Sequence, residues 1–332
     1  MGSHFNRMIK NDITNYAQQF RYEPTVKNAD KVGRFGAVVV GGMGGSGLVA
    51  GILRALKPGL NVVAHHEYGL PSFVGGDGEK YLFIAVSHSG DTEETINFCE
   101  EAIKEGLPVA VVSAKGKLLE LAEEKGLPYI DLPGDEVQPR MALGYALRAV
   151  LKLIGEEKLY KETTRLAEKL DPLRHEEHGR ELAQKLSGAV PIVYASRFNQ
   201  ALAYNWKIKF NETGKIPAFC NVFPELNHNE MESFGERSAA GALLPKAHFV
   251  FLRDDADHLR IRERMELTAK LYSDCGLSVE DVMIEGKTRL ERIFNTLLLG
   301  DWAAYYLALG NGVEPESVPM IERFKKDIGG QR

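Results

Sequence analysis

One stretch, SHSGDTEET at residues 87–95, decides the fold and indicates a ligand site. An apolar run at 81–86 precedes it and an amphipathic run at 96–103 follows it, which predicts a buried strand, a tight turn and a helix. The hydroxyl side chains of Ser87, Ser89 and Thr92 lie where the first helical amides are free and the helix dipole is positive, so the turn resembles an anion-binding site. The plainer interpretation is an N-terminal cap, which Ser, Thr or Asp commonly supplies.

The overall composition is that of a soluble globular protein with room for two domains. The chain has 332 residues, of which 44% are hydrophobic and 26% charged. Its net charge of −5 gives no electrostatic case for nucleic acid as a partner. Cys99, Cys220 and Cys275 form neither a full disulfide framework nor a metal-binding spacing, so we expect a reducing, cytoplasmic location. No run approaches the roughly 18 apolar residues of a membrane span.

Strands and helices alternate along both halves of the chain. In the first half, strands are predicted at 35–40, 61–64, 81–86, 108–112 and 129–132. Helices are predicted at 11–20, 48–56 and 140–154, and amphipathic helices at 158–170 and 177–186 form a connector. The second half has predicted strands at 190–195, 249–252 and 278–284, and helices at 199–210, 260–275, 290–309 and 320–326. The chain is therefore predicted to have an α/β fold with two doubly wound parallel-sheet subdomains, each αβα, at residues 1–154 and 155–332.

A glycine-rich loop, GGMGGSG at residues 41–47, follows the first predicted strand. Its G-x-G-x-x-G pattern is the dinucleotide-binding fingerprint in the proper context, so a nicotinamide-dependent dehydrogenase is an alternative function. That fingerprint requires an acidic residue at the end of the second strand, whereas this strand ends at His65 and His66, with Glu67 one place late. A dinucleotide site also has no use for the hydroxyl-rich turn. Two neighbouring anion-binding turns fit a compact phosphorylated ligand better.

These segments together resemble a known family. Residues 87–95 resemble the signature of sugar isomerase (SIS) domains, and residues 41–46 match the partner glycine loop. With ELNHNE at 225–230 between two SIS-like halves, the chain resembles the bifunctional phosphoglucose/phosphomannose isomerase family over nearly its whole length. The resemblance implies two SIS-type subdomains and an aldose–ketose isomerase acting on glucose 6-phosphate, mannose 6-phosphate and fructose 6-phosphate. That reaction needs no metal or redox cofactor.

The resemblance also assigns roles to individual residues. The sugar-phosphate group would be held by Gly45, Ser46, Ser87, Ser89 and Thr92. Arg140 would bind substrate and stabilise an enediolate intermediate, because its charge persists at every working pH. Glu212 would be the base that moves a proton between C2 and C1. His228 would open the sugar ring from the neighbouring subunit of a homodimer, and Lys325, or the adjacent Lys326, would share that task.

Each assigned residue also has an ordinary explanation. An Arg or Lys on a helix, such as Arg140 or Lys325, is usually exposed to solvent. A Glu at the end of a helix, such as Glu212, is usually exposed as well. Metal binding by His228 with Glu230 or Glu232 lacks a third ligand at helical spacing.

Besides the dehydrogenase, a second alternative function remains open. A non-catalytic SIS sensor would bind a sugar phosphate but would have no use for Glu212, Arg140 and His228 together. The family often carries a threonine before its last helix, and in EPESVP at 314–319 the candidate substitute is Ser317. Use of the mannose epimer is therefore less firmly implied than use of the glucose epimer.

Overall fold

The first half of the protein is built around a five-stranded parallel sheet. The computed structural model describes residues 2–73, 80–134, 137–235 and 244–329, without the side chains of residues 2–7 and 329. The five predicted strands are confirmed as β1 (Ala37–Gly41), β2 (Val62–His65), β3 (Tyr81–Ser87), β4 (Val109–Ser113) and β5 (Tyr129–Asp131). They pair in the order β2-β1-β3-β4-β5, with every pair parallel.

The second half is built around a four-stranded parallel sheet. Its strands are β6 (Val190–Ser196), β7 (Phe219–Phe223), β8 (Ala247–Arg253) and β9 (Ser278–Met283), in the order β7-β6-β8-β9. The sequence predicted three of these strands and missed β7. This strand lies at an edge of the sheet, and only its last two residues are buried, so it lacks the continuous apolar run that marks the central strands β6 and β8.

Eleven α-helices lie within the described part of the chain. They are α1 (Gly2–Thr14), α2 (Gly44–Leu56), α3 (Glu93–Lys104), α4 (Gly116–Glu124), α5 (Leu143–Leu153), α6 (Glu157–Lys169), α7 (Glu176–Lys185), α8 (Gln200–Glu212), α9 (Leu259–Asp274), α10 (Arg289–Gly310) and α11 (Pro319–Gly329). The predicted helix at 140–154 is partly wrong. Its first turn is a 3-10 turn, Pro139–Met141, and α5 begins only at Leu143. The predicted helix at 11–20 is likewise α1 followed by a 3-10 segment, Tyr16–Arg21.

Helices cover both faces of each sheet, which confirms the predicted αβα layers. In the first half, α2 and α5 pack on one face, and α3 and α4 pack on the other. In the second half, α8 and α10 cover one face and α9 covers the other. The boundary between subdomains at residue 154 stays a prediction.

The two halves share one hydrophobic core. It contains buried residues from α2 and α5 as well as from α8 and α10. Helices α2 and α8 cross closely, and a Cβ atom added to Gly51 would lie 3.1 Å from Ala201 Cβ. The long apolar helix predicted at 290–309 is confirmed as α10, which is buried along most of its length. None of the described helices is long and apolar enough to cross a membrane.

Candidate active site

The hydroxyl-rich turn follows the carboxyl end of β3. The Oγ of Ser87, the last residue of that strand, lies 2.9 Å from Thr92 Oγ1 and 3.5 Å from Ser89 Oγ. Thr92 occupies the N-cap position of α3, yet its side chain makes no capping hydrogen bond to the described residues. The hydroxyls therefore cluster with one another instead of serving as a simple cap. Gly90 is required here, because its φ is +72° and an added Cβ would lie 1.6 Å from the Lys115 carbonyl oxygen.

The glycine loop lies directly beside this turn. Helix α2 begins at Gly44, and the Ser46 Oγ accepts a hydrogen bond from the His88 backbone N–H at 3.1 Å. This contact ties the loop after β1 to the turn after β3 and leaves the Ser46 hydroxyl proton free to be donated. Two adjacent strand ends thus supply hydroxyls and helix-terminal amides to one location, as the sequence predicted.

Arg140 lies against the other side of the glycine loop. A Cβ atom added to Gly45 would lie 2.6 Å from Arg140 Cα, so the two backbones are in direct contact. The Arg140 side chain is 2% exposed. Its guanidinium donates hydrogen bonds to the side chains of Thr213 (2.9 Å) and Gln138 (3.3 Å) and to the carbonyls of Pro315 (3.0 Å) and Glu316 (2.7 Å). Burial lowers the pKa of Arg140, and the nearby carboxylates oppose that shift, so the side chain stays charged.

Glu212, the last residue of α8, faces Arg140. Its Oε2 lies 3.7 Å from Arg140 Nη1, and its side chain is 24% exposed. The Glu212 backbone carbonyl accepts a hydrogen bond from Lys215 Nζ, and the same Nζ donates to the Ser317 carbonyl at 2.5 Å. The structure therefore brings together a half-buried carboxylate, a fixed guanidinium and the segment that precedes α11.

A buried ion pair, which sequence reasoning missed, supports this arrangement. Lys209, one turn before Glu212 on α8, pairs with Asp301 on α10, and their side chains are 2% and 3% exposed. Lys209 Nζ also donates to the Arg140 carbonyl at 2.7 Å. Burial lowers the pKa of Lys209 and raises the pKa of Asp301, while the attraction between the two charges opposes both shifts.

The position of Lys209 was visible in the sequence as a break in a pattern. Trp206 and Phe210 lie on the buried face of α8, and Lys209 lies on that face between them. A lysine at such a position needs a buried anionic partner, which the sequence did not identify.

His228 lies away from the other candidate residues of the same chain. It is exposed, in a 3-10 turn (Glu225–His228) just after β7. Helix α8 starts near the carboxyl end of β6 and runs away from it to Glu212. Strand β7 then runs parallel to β6, so its carboxyl end and the following His228 lie at the end where α8 started. Since the 13 residues of α8 span about 20 Å, Glu212 and His228 lie at opposite ends of this unit. Lys325 is also exposed, on α11.

The possible metal site around His228 gains no third ligand. Glu230 Oε1 accepts a hydrogen bond from the Tyr194 hydroxyl at 2.5 Å, and Oε2 accepts one from Asn221. Among the residues that the structure describes, no group of three or more His, Cys, Asp or Glu side chains is arranged to hold a metal ion.

Comparisons with known proteins agree with this architecture. Residues 175–328 match the model of the bacterial phospho-glucose isomerase C-terminal SIS domain. The chain is 32% identical to a bifunctional phosphoglucose/phosphomannose isomerase of Aquifex aeolicus, over 95% of this chain and 97% of that protein. It is 34% identical to one of Thermoplasma acidophilum, over 90% and 91%. A solved structure of a hypothetical protein from Thermus thermophilus shares the fold, with a TM-score of 0.68, 17% identity, and coverage of 99% of this chain and 90% of that one. The chain therefore belongs to the bifunctional phosphoglucose/phosphomannose isomerase family.

Proposed function

We propose that this protein interconverts glucose 6-phosphate and mannose 6-phosphate with fructose 6-phosphate. The observation that carries the proposal is the Glu212 carboxylate 3.7 Å from the Arg140 guanidinium, beside two anion-binding turns. A base, a fixed positive charge and a phosphate seat are the three elements that aldose–ketose isomerisation requires. The names of the family's members supply the substrate class.

The phosphate group is assigned to the two neighbouring turns. Gly45 and Ser46 lie in the first turn of α2, where backbone N–H groups are free and the dipole favours an anion. The hydroxyls of Ser87, Ser89 and Thr92 supply further donors from the next strand end. These residues bind the end of the sugar away from the reacting carbons, so they anchor the substrate and do no chemistry.

The proton transfer is assigned to Glu212. Its carboxylate takes the proton from C2 of the open-chain aldose and returns it to C1, while a hydroxyl proton moves between O1 and O2. Arg140 donates to the enediolate oxygens through the second N–H of Nη1. The single N–H of Nε and both N–H groups of Nη2 are bonded to the protein, and Nη1 gives one N–H to Gln138. The enediolate is planar at C2, so protonation on one face or the other yields glucose 6-phosphate or mannose 6-phosphate.

Ring opening is assigned to His228 of a second copy of the chain. Within one chain, about 20 Å of helix separates the His228 end of the α8–β7 unit from Glu212. If both residues serve one site, His228 must come from a partner in a homodimer. Lys325 is proposed to share this step, because α11 begins two residues after Ser317, whose carbonyl is linked through Lys215 to Glu212.

A coupled assay on fructose 6-phosphate tests the base assignment. Glu212→Gln is expected to lower kcat by at least about 100-fold, as for loss of a general base, while sugar-phosphate binding persists. Glucose 6-phosphate and mannose 6-phosphate are scored separately, which also measures the epimer ratio. Glu157→Gln, at an exposed position on α6, is the matched control and is expected to keep full activity. Unchanged turnover in Glu212→Gln would sink the proposed mechanism.

Subunit mixing tests the shared histidine. Glu212→Gln and His228→Ala chains are each expected to be inactive alone. A mixed dimer of the two has one site that combines an intact Glu212 with an intact His228, if the histidine crosses the interface. Random mixing should then restore up to about one quarter of wild-type activity, because half the dimers are mixed and each has one working site. No recovery would show that each site uses its own chain's histidine.

A further inference from the structure

We infer that Lys209 and Asp301 form a positioning pair that holds the backbone of Arg140 in place against the base Glu212. The inference rests on the proposed function, because it concerns how that site is assembled. Lys209 and Asp301 are buried in the core and are not candidates for substrate contact. Their proposed effect on the reaction therefore acts through Arg140.

Helix α8 and the residue that follows it, Thr213, hold Arg140 at two points. Lys209 Nζ donates to the Arg140 backbone carbonyl at 2.7 Å, and Thr213 Oγ1 accepts from Arg140 Nε at 2.9 Å. Glu212 lies between these two residues along the chain and faces Arg140 Nη1. The helix that carries the base thus also fixes the backbone and the side chain of the guanidinium donor, which sets the distance between them.

The turn around Arg140 is held on its other sides as well. The Gln19 side chain donates to the Met141 carbonyl at 2.7 Å and accepts from the Gly144 N–H at 3.0 Å. The start of α2 abuts the Arg140 backbone at Gly45. A shift of this turn would therefore move the phosphate seat relative to Glu212, and active sites lose about 100-fold for a misplacement near 1 Å.

An apolar pair could fill the space of Lys209 and Asp301 without holding the Arg140 backbone. Replacing a buried ion pair by hydrophobic residues of similar volume is often neutral or stabilising. Such a pair would leave the buried Arg140 carbonyl without the donor that Lys209 provides. Stability and positioning are therefore separable, and this makes the inference testable.

The test compares three variants for unfolding in urea and for kinetics on fructose 6-phosphate. Lys209→Met leaves the Asp301 charge unpaired and is expected to lose both stability and kcat. Lys209→Met/Asp301→Leu is expected to recover stability but to keep a kcat at least about 10-fold below wild type, because the turn is still free to shift. The KM should change less than kcat. Asp301→Asn keeps an acceptor for Lys209, so its kcat is expected to fall less than that of Lys209→Met. This comparison of two single variants still tests the inference if the double variant does not fold.

Arg148→Met is the matched control for loss of a buried cation. Arg148 is 1% exposed and bonds Tyr22 and Thr163, away from the Arg140 turn. This variant should lose stability while the folded enzyme keeps its kcat. A second measurement is the isotope effect on kcat with C2-deuterated glucose 6-phosphate, which is expected to rise in the Lys209 variants as proton transfer becomes slower. A purely structural role would leave it unchanged.

Two outcomes would overturn the inference. One is a folded Lys209→Met/Asp301→Leu enzyme with wild-type kcat and isotope effect. The other, if the double variant does not fold, is equal kcat for Asp301→Asn, folded Lys209→Met and wild type. Either result is distinct from failure of the proposed function, which would appear as full activity in Glu212→Gln.

Discussion

Replacing Gly45 by alanine should increase the distance between the proposed phosphate seat and the Glu212–Arg140 pair. The added Cβ would lie 2.6 Å from Arg140 Cα and 2.7 Å from Arg140 N, whereas ordinary contact begins at 3.4 Å. The two backbones must therefore move apart by about 0.8 Å, which is the difference between 3.4 Å and 2.6 Å. No side-chain rotation relieves the clash, because both close atoms belong to the backbone.

The size of the effect follows from this displacement. A shift of nearly 1 Å between binding and reacting groups reduces catalysis by up to about 100-fold, so we expect kcat/KM to fall by 10- to 100-fold, roughly. Overpacking should lower the free energy of unfolding by about 1–3 kcal/mol. The better helix propensity of alanine offsets up to about 1 kcal/mol of that loss.

Steady-state kinetics on fructose 6-phosphate and urea unfolding measure the two effects separately. Gly36→Ala is the control, since a Cβ there would meet none of the described atoms within 4 Å. It should leave both measurements unchanged. A Gly45→Ala enzyme with wild-type kcat/KM would show that the contact between Gly45 and Arg140 does not set the distance from phosphate seat to base.

Three further predictions concern other contacts of the site. Ser89→Ala and Thr92→Ala should raise KM more than they lower kcat, because these hydroxyls are assigned to the phosphate; a pure kcat loss in steady-state kinetics would contradict this. Arg140→Lys should lower kcat and make the chain after residue 313 more sensitive to limited proteolysis, because one ammonium cannot replace the bonds to the Pro315 and Glu316 carbonyls. Burial raises the pKa of Asp12 to about 6, so the folded protein keeps a proton that the unfolded chain releases near its ordinary pKa of 3.8. The contribution of Asp12 to stability should therefore fall as pH rises from about 4 to 6 and then level off. Asp12→Asn should remove that contribution, on the order of 1 kcal/mol between these pH values in urea titrations, and an unchanged pH dependence of the free energy of unfolding would refute it.

The sequence predicted the parts of the fold that depend on local pattern. Continuous apolar runs identified β1, β3 and β4, because strands buried on both faces of a parallel sheet carry few polar residues. The edge strands β2 and β5 were identified from shorter apolar runs. The turns after β1 and β3 were located by their glycines and hydroxyls. Strand β7 was missed because Asn221 interrupts its short apolar run.

The site itself could be predicted only in part. The adjacency of the two turns followed from the parallel sheet, because carboxyl ends of neighbouring strands meet at one edge. The contacts of Arg140 with Thr213 and Pro315 join residues 73 and 175 positions apart, and no local pattern encodes such pairings. Lys209 showed its burial through helical spacing, but its partner Asp301 lies on a helix whose packing the sequence did not specify.

The carboxyl edges of the two sheets carry different side chains, and for this reason we expect one phosphate seat per chain. In the second sheet, Asp254 follows β8 in the place where the hydroxyl turn follows β3 in the first. Its carboxylate is fully buried and accepts hydrogen bonds from Arg289 and Arg292, each at 2.9 Å. Both arginines of this second crevice are therefore already bonded to an internal carboxylate and are not left open to a phosphate. Arg289 also donates to the Ala55 carbonyl at 3.2 Å, near the end of α2. This hydrogen bond links the second half to the helix whose first turn forms part of the proposed phosphate seat.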